Sequence, residues 1–303
     1  MPASWWFIVL SWNGRDDTLA CLRSLQALLD DDAAIVCADN GSVDGTVAAV
    51  RAQFPQVELI ENGANLGFSG GNNAGIDHAL ARGAQWVVLV NNDATLRPDA
   101  LAALRRAARE HPRAGVLSGK LFFADPPDRI WFAGQRFWPL LGYSGRPRGY
   151  RRRDAARYRR LEPTDRAAGA FMAVSRPAIE AAGKLDDELF AYVEDVDWSL
   201  RVREAGFEVL FCPDAVASHH VSASTGGERV STHALYYGVR NTVVVCERHR
   251  PLPPVARTLR RAVIWAVFMG QALLLFESRR ACVCAVRTGY RDALAGRLGE
   301  RPA

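Results

Sequence analysis

The residues able to do chemistry in this chain sit where apolar runs stop. Trp86-Val87-Val88-Leu89-Val90 is continuous and apolar, then gives way at once to Asn91-Asn92-Asp93. Such a run reads as a strand buried on both faces of a parallel sheet. Open α/β sheets bind ligands beyond the carboxyl ends of their strands, and a carboxylate there can hold a divalent metal on a phosphate. A loop capping the next helix, with Asp93 as a turn residue, accounts for the same residues. A second polar tip, Asp39-Asn40-Gly41-Ser42-Val43-Asp44-Gly45-Thr46, follows Ala34–Ala38. Asp39 can accept from a base N–H, Ser42 and Thr46 can bond a ribose or cap a helix, and Asp44 fits an N-cap. A third, Asn65 to Asn73, is a Gly/Asn-rich loop whose backbone N–H groups can approach a phosphate or sugar. Its glycines do not fall as GxGxxG and no Lys-Ser/Thr follows, which argues against a dinucleotide oxidoreductase and a P-loop.

Two further clusters lie beyond the middle of the chain. Glu194-Asp195-Val196-Asp197-Trp198 puts three acids at a helix start, behind Phe190 and Tyr192. The helix dipole favours carboxylates there, which explains one or two of them; three together also suit a general base. Arg201 or Arg203, along the same helix, can keep such a base ionised. His219-His220 follow a late strand and can supply a metal ligand, although a lone histidine there is usually structural.

The elements that must position these residues alternate. Strands are expected at Trp5–Leu10, Ala34–Ala38, Val57–Ile60, Trp86–Val90 and Val116–Phe122, with helices between them. That rhythm predicts a doubly wound α/β fold with a mostly parallel sheet. Residues 124–165, rich in Pro, Gly, Trp and Arg, break the rhythm and read as a basic insertion or loop over the site. Further strands are expected at Gly169–Val174 and Val209–Phe211, a helix running from the Glu194–Trp198 cluster through Glu204, and another over His233–Glu247. A catalytic domain over 1–250 thus has a nucleotide half (about 1–122) and an acceptor half (about 166–250). Residues 251–303 form an amphipathic helical tail. Its Ala262–Phe276 stretch is apolar with Arg257, Arg260-Arg261 and Arg279-Arg280 at its flanks. It is shorter than the about 20 residues that span a bilayer, so an interfacial helix or a buried one is expected. The 303 residues carry a net charge of +5, which suits phosphate-bearing substrates or an anionic membrane surface. Six cysteines without disulfide or zinc spacing read as reduced structural thiols, and the short apolar start does not read as a signal peptide.

Taken in order, these motifs resemble the inverting glycosyltransferase family 2. The set is Ser11-Trp12-Asn13, Asp39-Asn40-Gly41-Ser42-x-Asp44-Gly45, Asn65-x-Gly67-Phe68-x-Gly70-Gly71-Asn72-x-Ala74, Asn91-Asn92-Asp93, Gly169-Ala170-Phe171-Met172, Glu194-Asp195-x-Asp197 and His219-His220. Tyr236-Tyr237-x-x-Arg240-Asn241 matches the tail of the family's rhamnosyltransferase-like branch. The resemblance implies a GT-A fold, with a C-terminal helical tail. It implies that Asp39 reads a pyrimidine beside Ser11, Trp12 and Asn13. Ser42, Asn65, Gly67, Gly70, Asn72, Asn91 and Asn92 would line the nucleotide sugar. Asp93 and His219 would hold Mg²⁺ or Mn²⁺, and Asp195, with Glu194 beside it, would be the base. Phe171, Met172, Asp197, Trp198, Tyr237 and Arg240 would contact acceptor or phosphate. The family's DxD motif has Asp at its first position; here Asn91 stands there, one charge fewer for the metal. The implied reaction moves a sugar, rhamnose as the best match, from a nucleotide-diphosphate donor such as dTDP-rhamnose to a saccharide acceptor on a polyprenyl carrier. That implies a cytoplasmic protein on the inner face of the cell membrane, with no nucleic-acid partner. A catalytically silent nucleotide-sugar-binding or scaffold subunit is the alternative. A processive synthase is disfavoured, because no QxxRW signature is present.

Overall fold

Period-two alternation explains why the strands are apolar without a break. In β1 (Trp5–Ser11), Trp5, Phe7 and Val9 enter one apolar layer while Trp6 and Ile8 enter the other. In β4 (Trp86–Asn91), Val88 and Val90 share the first layer, Val87 and Leu89 the second. A sheet covered on both faces requires this. The computed structural model describes residues 3–137, 146–220, 231–274 and 278–301.

β2 (Ala33–Asp39) and β3 (Glu58–Glu61) complete a parallel run in the order β3-β2-β1-β4. The crossovers are α1 (Arg15–Gln26), α2 (Thr46–Gln53) and α3 (Gly67–Ala81). Register sets the tips side by side: Ser11 pairs with Asp39, and Leu10 with Asn91. The chain continues through β5 (Ala94–Leu96), α4 (Ala100–Glu110), β6 (Ala114–Phe123), β7 (Ile130–Phe132) and β8 (Glu162–Pro163). It then forms β9 (Phe171–Ser175), α5 (Arg176–Ala182), α6 (Glu194–Glu204) and β10 (Glu208–His219). β9 lies antiparallel between β4 and β6 and joins the two halves of the sheet. β10 runs parallel to β6 and antiparallel to β5, so His219 pairs with Ala94, next to Asp93.

Three expectations change. The segment expected as a loop up to Asn73 is helical from Gly67. Its glycines serve close packing: a Cβ at Gly71 would stand 2.3 Å from Leu10 Cδ1, and one at Gly75 2.5 Å from Ile8 Cγ2. The 124–165 insertion contributes sheet edges, since β7 pairs with β6 and β8 with β10; its residues 138–145 lie outside those described. The tail is two helices, α8 (Pro254–Leu274) and α9 (Arg279–Leu294), packed on α7 (Thr232–His249), the helix expected over His233–Glu247; Leu275 and Phe276 are not among the described residues. α9 crosses α7 so closely that a Cβ at Gly289 would lie 2.3 Å from the Tyr236 carbonyl oxygen. The chain then returns to the segment before α6 and to α7: Gly299 N–H donates to the Glu188 carbonyl (2.7 Å) and Arg301 N–H to the Tyr237 hydroxyl (2.8 Å). No described helix is long and apolar enough to cross a membrane.

Candidate active site

The tips of β1, β2 and β4 are laced by side chains. Asp39 is buried and accepts from Gly41 N–H (3.0 Å), Ser42 N–H (2.8 Å) and the Ser42 hydroxyl (2.5 Å). Ser42 Oγ also accepts from Asn13 N–H, and Asn13 Oδ1 from Val43 N–H. Asn13 therefore takes a left-handed φ of 49°. Trp12, beside it, leaves half its surface exposed. Asn92 Nδ2 donates to Thr18 Oγ1 (3.0 Å), which lies 3.0 Å from Ser11 Oγ. Asp44 does not act as the N-cap of α2, whose cap is Gly45; it accepts instead from Thr46 and from Arg15 N–H. A buried hub absent from the expected site, Asn40, ties this floor to the next loop. Its amide donates to the Gly67 carbonyl and to Asn65 Oδ1, and it accepts from Asn62. Asn72 is buried in α3 and bonds the Phe68 carbonyl, while Gly70 faces Leu66.

The second pole is the start of α6. It is launched from a strained turn: Phe190, Tyr192 and Val193 have φ of 63°, 64° and 72°, a region costly for a β-branched residue. α7 holds the turn. Asn241 Nδ2 donates to the carbonyls of Leu189, Ala191 and Tyr192 (2.9, 2.9 and 2.7 Å), and Arg240 reaches those of Leu189 and Glu188. Asn241→Ala is expected to cost about 2 kcal/mol, since the Ala191 and Tyr192 carbonyls lose their side-chain donor while the Leu189 carbonyl keeps Arg240. A denaturant melt showing less than about 1 kcal/mol would contradict that clamp.

The turn delivers Glu194 and Asp195, both buried. Asp195 Oδ2 accepts from Gly169 N–H (3.0 Å) and Arg166 Nε (3.2 Å), with Arg166 Nη2 at 3.1 Å. No described residue donates to its Oδ1. A carboxylate held by one oxygen, with the other free, is arranged to receive a proton. Arg166 is the counter-ion that sequence reasoning missed; Arg201 instead pairs with Asp197 (2.7 Å) and Arg203 with Asp165 (2.8 Å). Glu194 differs from its neighbour. Burial, then the Asp195 charge, pushes its carboxyl from 4.5 up to about 8, and its buried Oε2 has no hydrogen bond among the described residues. The folded protein keeps a proton that the unfolded chain releases, so this group lowers stability as pH rises from about 4.5 to about 8. Glu194→Gln is expected to melt above the parent near pH 8 and to lose that advantage near pH 5. A gap independent of pH would contradict a neutral carboxyl here.

The third pole is Asp93 with His219. Both are buried, and His219 Nε2 lies 3.0 Å from Asp93 Oδ1. That approach lacks hydrogen-bond geometry: Asp93 Oδ1 and His219 Nδ1 have no hydrogen-bond partner among the described residues. Asn91 Nδ2 stands 3.4 Å from His219 Nε2, and Trp131 packs edge-on against the imidazole at 4.7 Å. Burial works to raise the Asp93 carboxyl, but the His219 imidazole, the Asp93 backbone N–H and His220 together outweigh it and hold the group below the ordinary carboxylate value. Asp17, on α1, is pushed up by burial and by the Asp93 charge. The orphaned Asp93 Oδ1, with an imidazole nitrogen 3.0 Å away, fits a divalent cation that completes its shell from a diphosphate and water. No described cluster supplies three protein ligands.

Other expected site residues lie apart from these poles. Phe171 and Met172 are fully buried in opposite layers of β9. Trp198 is core, its indole N–H bonded to the Gly183 carbonyl (2.7 Å). Asp197 sits between Arg201 and His249 beside a cavity of about 530 Å³ whose lining does not include Asp195. Tyr237 and Arg240 are buried, with Tyr237 stacked on Phe190. Their hydrogen bonds anchor the chain end and the turn before α6, so the structure gives them a positioning place.

The match to known proteins is broad. The model of the family described as glycosyl transferase family 2 covers residues 6–180. The chain is 33% identical over 255 residues, 75% of its length and 79% of the relative's, to N-acetylglucosaminyl-diphospho-decaprenol L-rhamnosyltransferase of Mycobacterium tuberculosis. It is 25% identical over 243 residues (76% and 78%) to dTDP-rhamnosyl transferase RfbF of Shigella flexneri. Among solved structures, mannosyltransferase PcManGT of Pyrobaculum calidifontis, in complex with GDP-Man and Mn²⁺, aligns over 98% of this chain and 87% of its own, with a TM-score of 0.59 and 18% identity. GalNAc-T7 with UDP, GalNAc and Mn²⁺ aligns over 91% and 58%, with a TM-score of 0.60 and 12% identity. These two likenesses are of fold, the GT-A fold that the sheet order builds. A family match across more than half the chain, joined to a relative one-third identical over three-quarters of it, establishes that the protein belongs to glycosyl transferase family 2.

Proposed function

We propose that this glycosyltransferase moves L-rhamnose from dTDP-rhamnose to a saccharide hydroxyl on a polyprenyl-diphosphate carrier, with inversion at the anomeric carbon, at the inner face of the cell membrane. Two relatives support the donor and acceptor classes by their names, one a dTDP-rhamnosyl transferase and the other acting on a decaprenol-linked sugar. The observation that carries the chemistry is Asp195, fixed through one oxygen by Arg166 and Gly169 while the other stays free.

On this reading the base and sugar ring of the nucleotide meet the β1–β2 floor. Asp39 is positioned by Gly41 and Ser42 to accept from a pyrimidine N–H, and the exposed Trp12 face is available for stacking. Asn65, the start of α3 and Asn91-Asn92 surround the diphosphate and sugar. Asp93 and His219 are the residues that would hold Mg²⁺ or Mn²⁺, which supplies charge neutralisation to the diphosphate leaving group when bound. Asp195 Oδ1 takes the proton of the acceptor hydroxyl as the hydroxyl oxygen attacks the anomeric carbon and the bond to the diphosphate breaks on the opposite face. Glu194, neutral beside it, can donate to an acceptor oxygen without competing for that proton.

A thermal-shift series tests the donor. Binding to the native state raises its apparent stability, so dTDP-rhamnose with Mn²⁺ is expected to give a larger shift than UDP- or GDP-sugars or dTDP-rhamnose without metal. Equal shifts for all nucleotide sugars would remove the donor assignment.

A further inference from the structure

The tail presents a second apolar face that packs against nothing described. α8 buries Arg260, Ile264, Met269 and Ala272 on one side, and its Phe268 packs so tightly on α7 that a Cβ at Gly238 would stand 2.9 Å from the ring. The helix is therefore fixed on the domain. On the opposite side Val255, Leu259, Ala262, Ala266 and Leu273 recur at spacings of four, three, four and seven, which is one helical stripe. All are exposed; Val255, Leu259 and Leu273 keep 84%, 66% and 45% of their surface, and Trp265 and Leu274 at the stripe's margins keep 38% and 83%. At 1.5 Å per residue the stripe is about 28 Å long.

Its charge pattern selects the partner. No charged residue falls between Arg261 and Leu274. Arg261 is spent on Glu247. Arg257 at one end, and Arg279, Arg280 and Arg287 at the other, are exposed and make no ion pair with any described residue. A two-fold pairing of this face with itself would bring arginine-rich ends together, with Glu277 the one acid in the sequence against Arg261, Arg279, Arg280 and Arg287. An anionic lipid surface meets the exposed α9 arginines with opposite charge and the stripe with acyl chains.

We infer that the outward face of α8 docks on an anionic bilayer, the helix lying in the headgroup–acyl boundary with the α9 arginines on lipid phosphates. This deepens the lipid-linked acceptor reading and rests on it only for its purpose. The test contains neither donor nor acceptor, so the two can fail separately.

The full chain is sedimented with vesicles of phosphatidylcholine alone or mixed with phosphatidylglycerol. Binding is expected to the mixed vesicles and to weaken with added salt. Leu259→Gln with Leu273→Gln is expected to reduce vesicle affinity about tenfold or more, with an unchanged melting curve. Arg279→Gln with Arg280→Gln, which leaves the apolar stripe intact, is expected to remove the preference for anionic vesicles. Absence of binding by the parent chain, or equal binding by the parent and both variants, overturns the inference. So does sedimentation velocity that shows a dimer dissolved by the leucine variant, which would assign the face to a second copy of the chain.

Discussion

Asp195→Asn is expected to lower the transfer rate by about three orders of magnitude and to leave donor binding and melting temperature near those of the parent. The amide has the shape of the carboxylate, and its oxygen can still accept from Gly169 N–H at the position Oδ2 occupies (3.0 Å). What it loses is a basic oxygen directed away from Arg166. Asp195 touches neither Asp93 nor the β1–β2 floor in any described hydrogen bond, so the defect belongs in kcat rather than in donor affinity. Arg166 then faces a neutral group. Because it also donates to Gln135 Oε1 at 3.2 Å, it keeps a partner and need not collapse into the site. A variant with near-normal turnover would show that the proton goes elsewhere, and Glu194 would be the next carboxyl to test.

The second large effect is at the opposite pole. Asp93→Ala is expected to lower turnover about a thousandfold, or about 4 kcal/mol of transition-state stabilisation, and to abolish the response to added Mn²⁺ or Mg²⁺. With Asn91 in place of an acid, Asp93 is the nearest charged oxygen that His219 faces, at 3.0 Å. The variant should also lose the extra thermal shift that metal gives to nucleotide binding, a readout independent of turnover. Retention of that metal-dependent shift would move the cation away from Asp93.

These two poles were legible in the sequence because each interrupts a pattern. Val87–Val90 must stop where the sheet ends, and a polar tip there has few uses. Glu194-Asp195 begins a helix whose C-terminal stop, Gly206, takes φ 90°. Local signals of this kind survive folding. The glycines of α3 misled for a physical reason: glycine costs about 1 kcal/mol in a helix interior, so Gly67, Gly70 and Gly71 read as loop until the nearness of Phe190, Leu66 and Leu10 is known. Arg166 was invisible because its bond to Asp195 joins residues 29 apart, with no periodicity to connect them. Arg201 could have been excluded, since four residues along a helix from Arg201 lies Asp197, not Asp195. Arg240 and Asn241 stood out as a motif, but only the strained turn before α6 shows what their side chains hold.

The central claim joins the poles into one reaction, and coupled product release tests it most directly. Purified protein is given dTDP-rhamnose, Mn²⁺ and an N-acetylglucosaminyl-diphospho-polyprenol, and free dTDP and glycosylated lipid are measured together, with the anomeric configuration of the product read by NMR. The account predicts equal amounts of dTDP and of lipid carrying rhamnose of inverted configuration, both lost in Asp195→Asn while dTDP-rhamnose still binds. Donor binding by the parent chain without release of dTDP, or transfer with retained configuration, would contradict it.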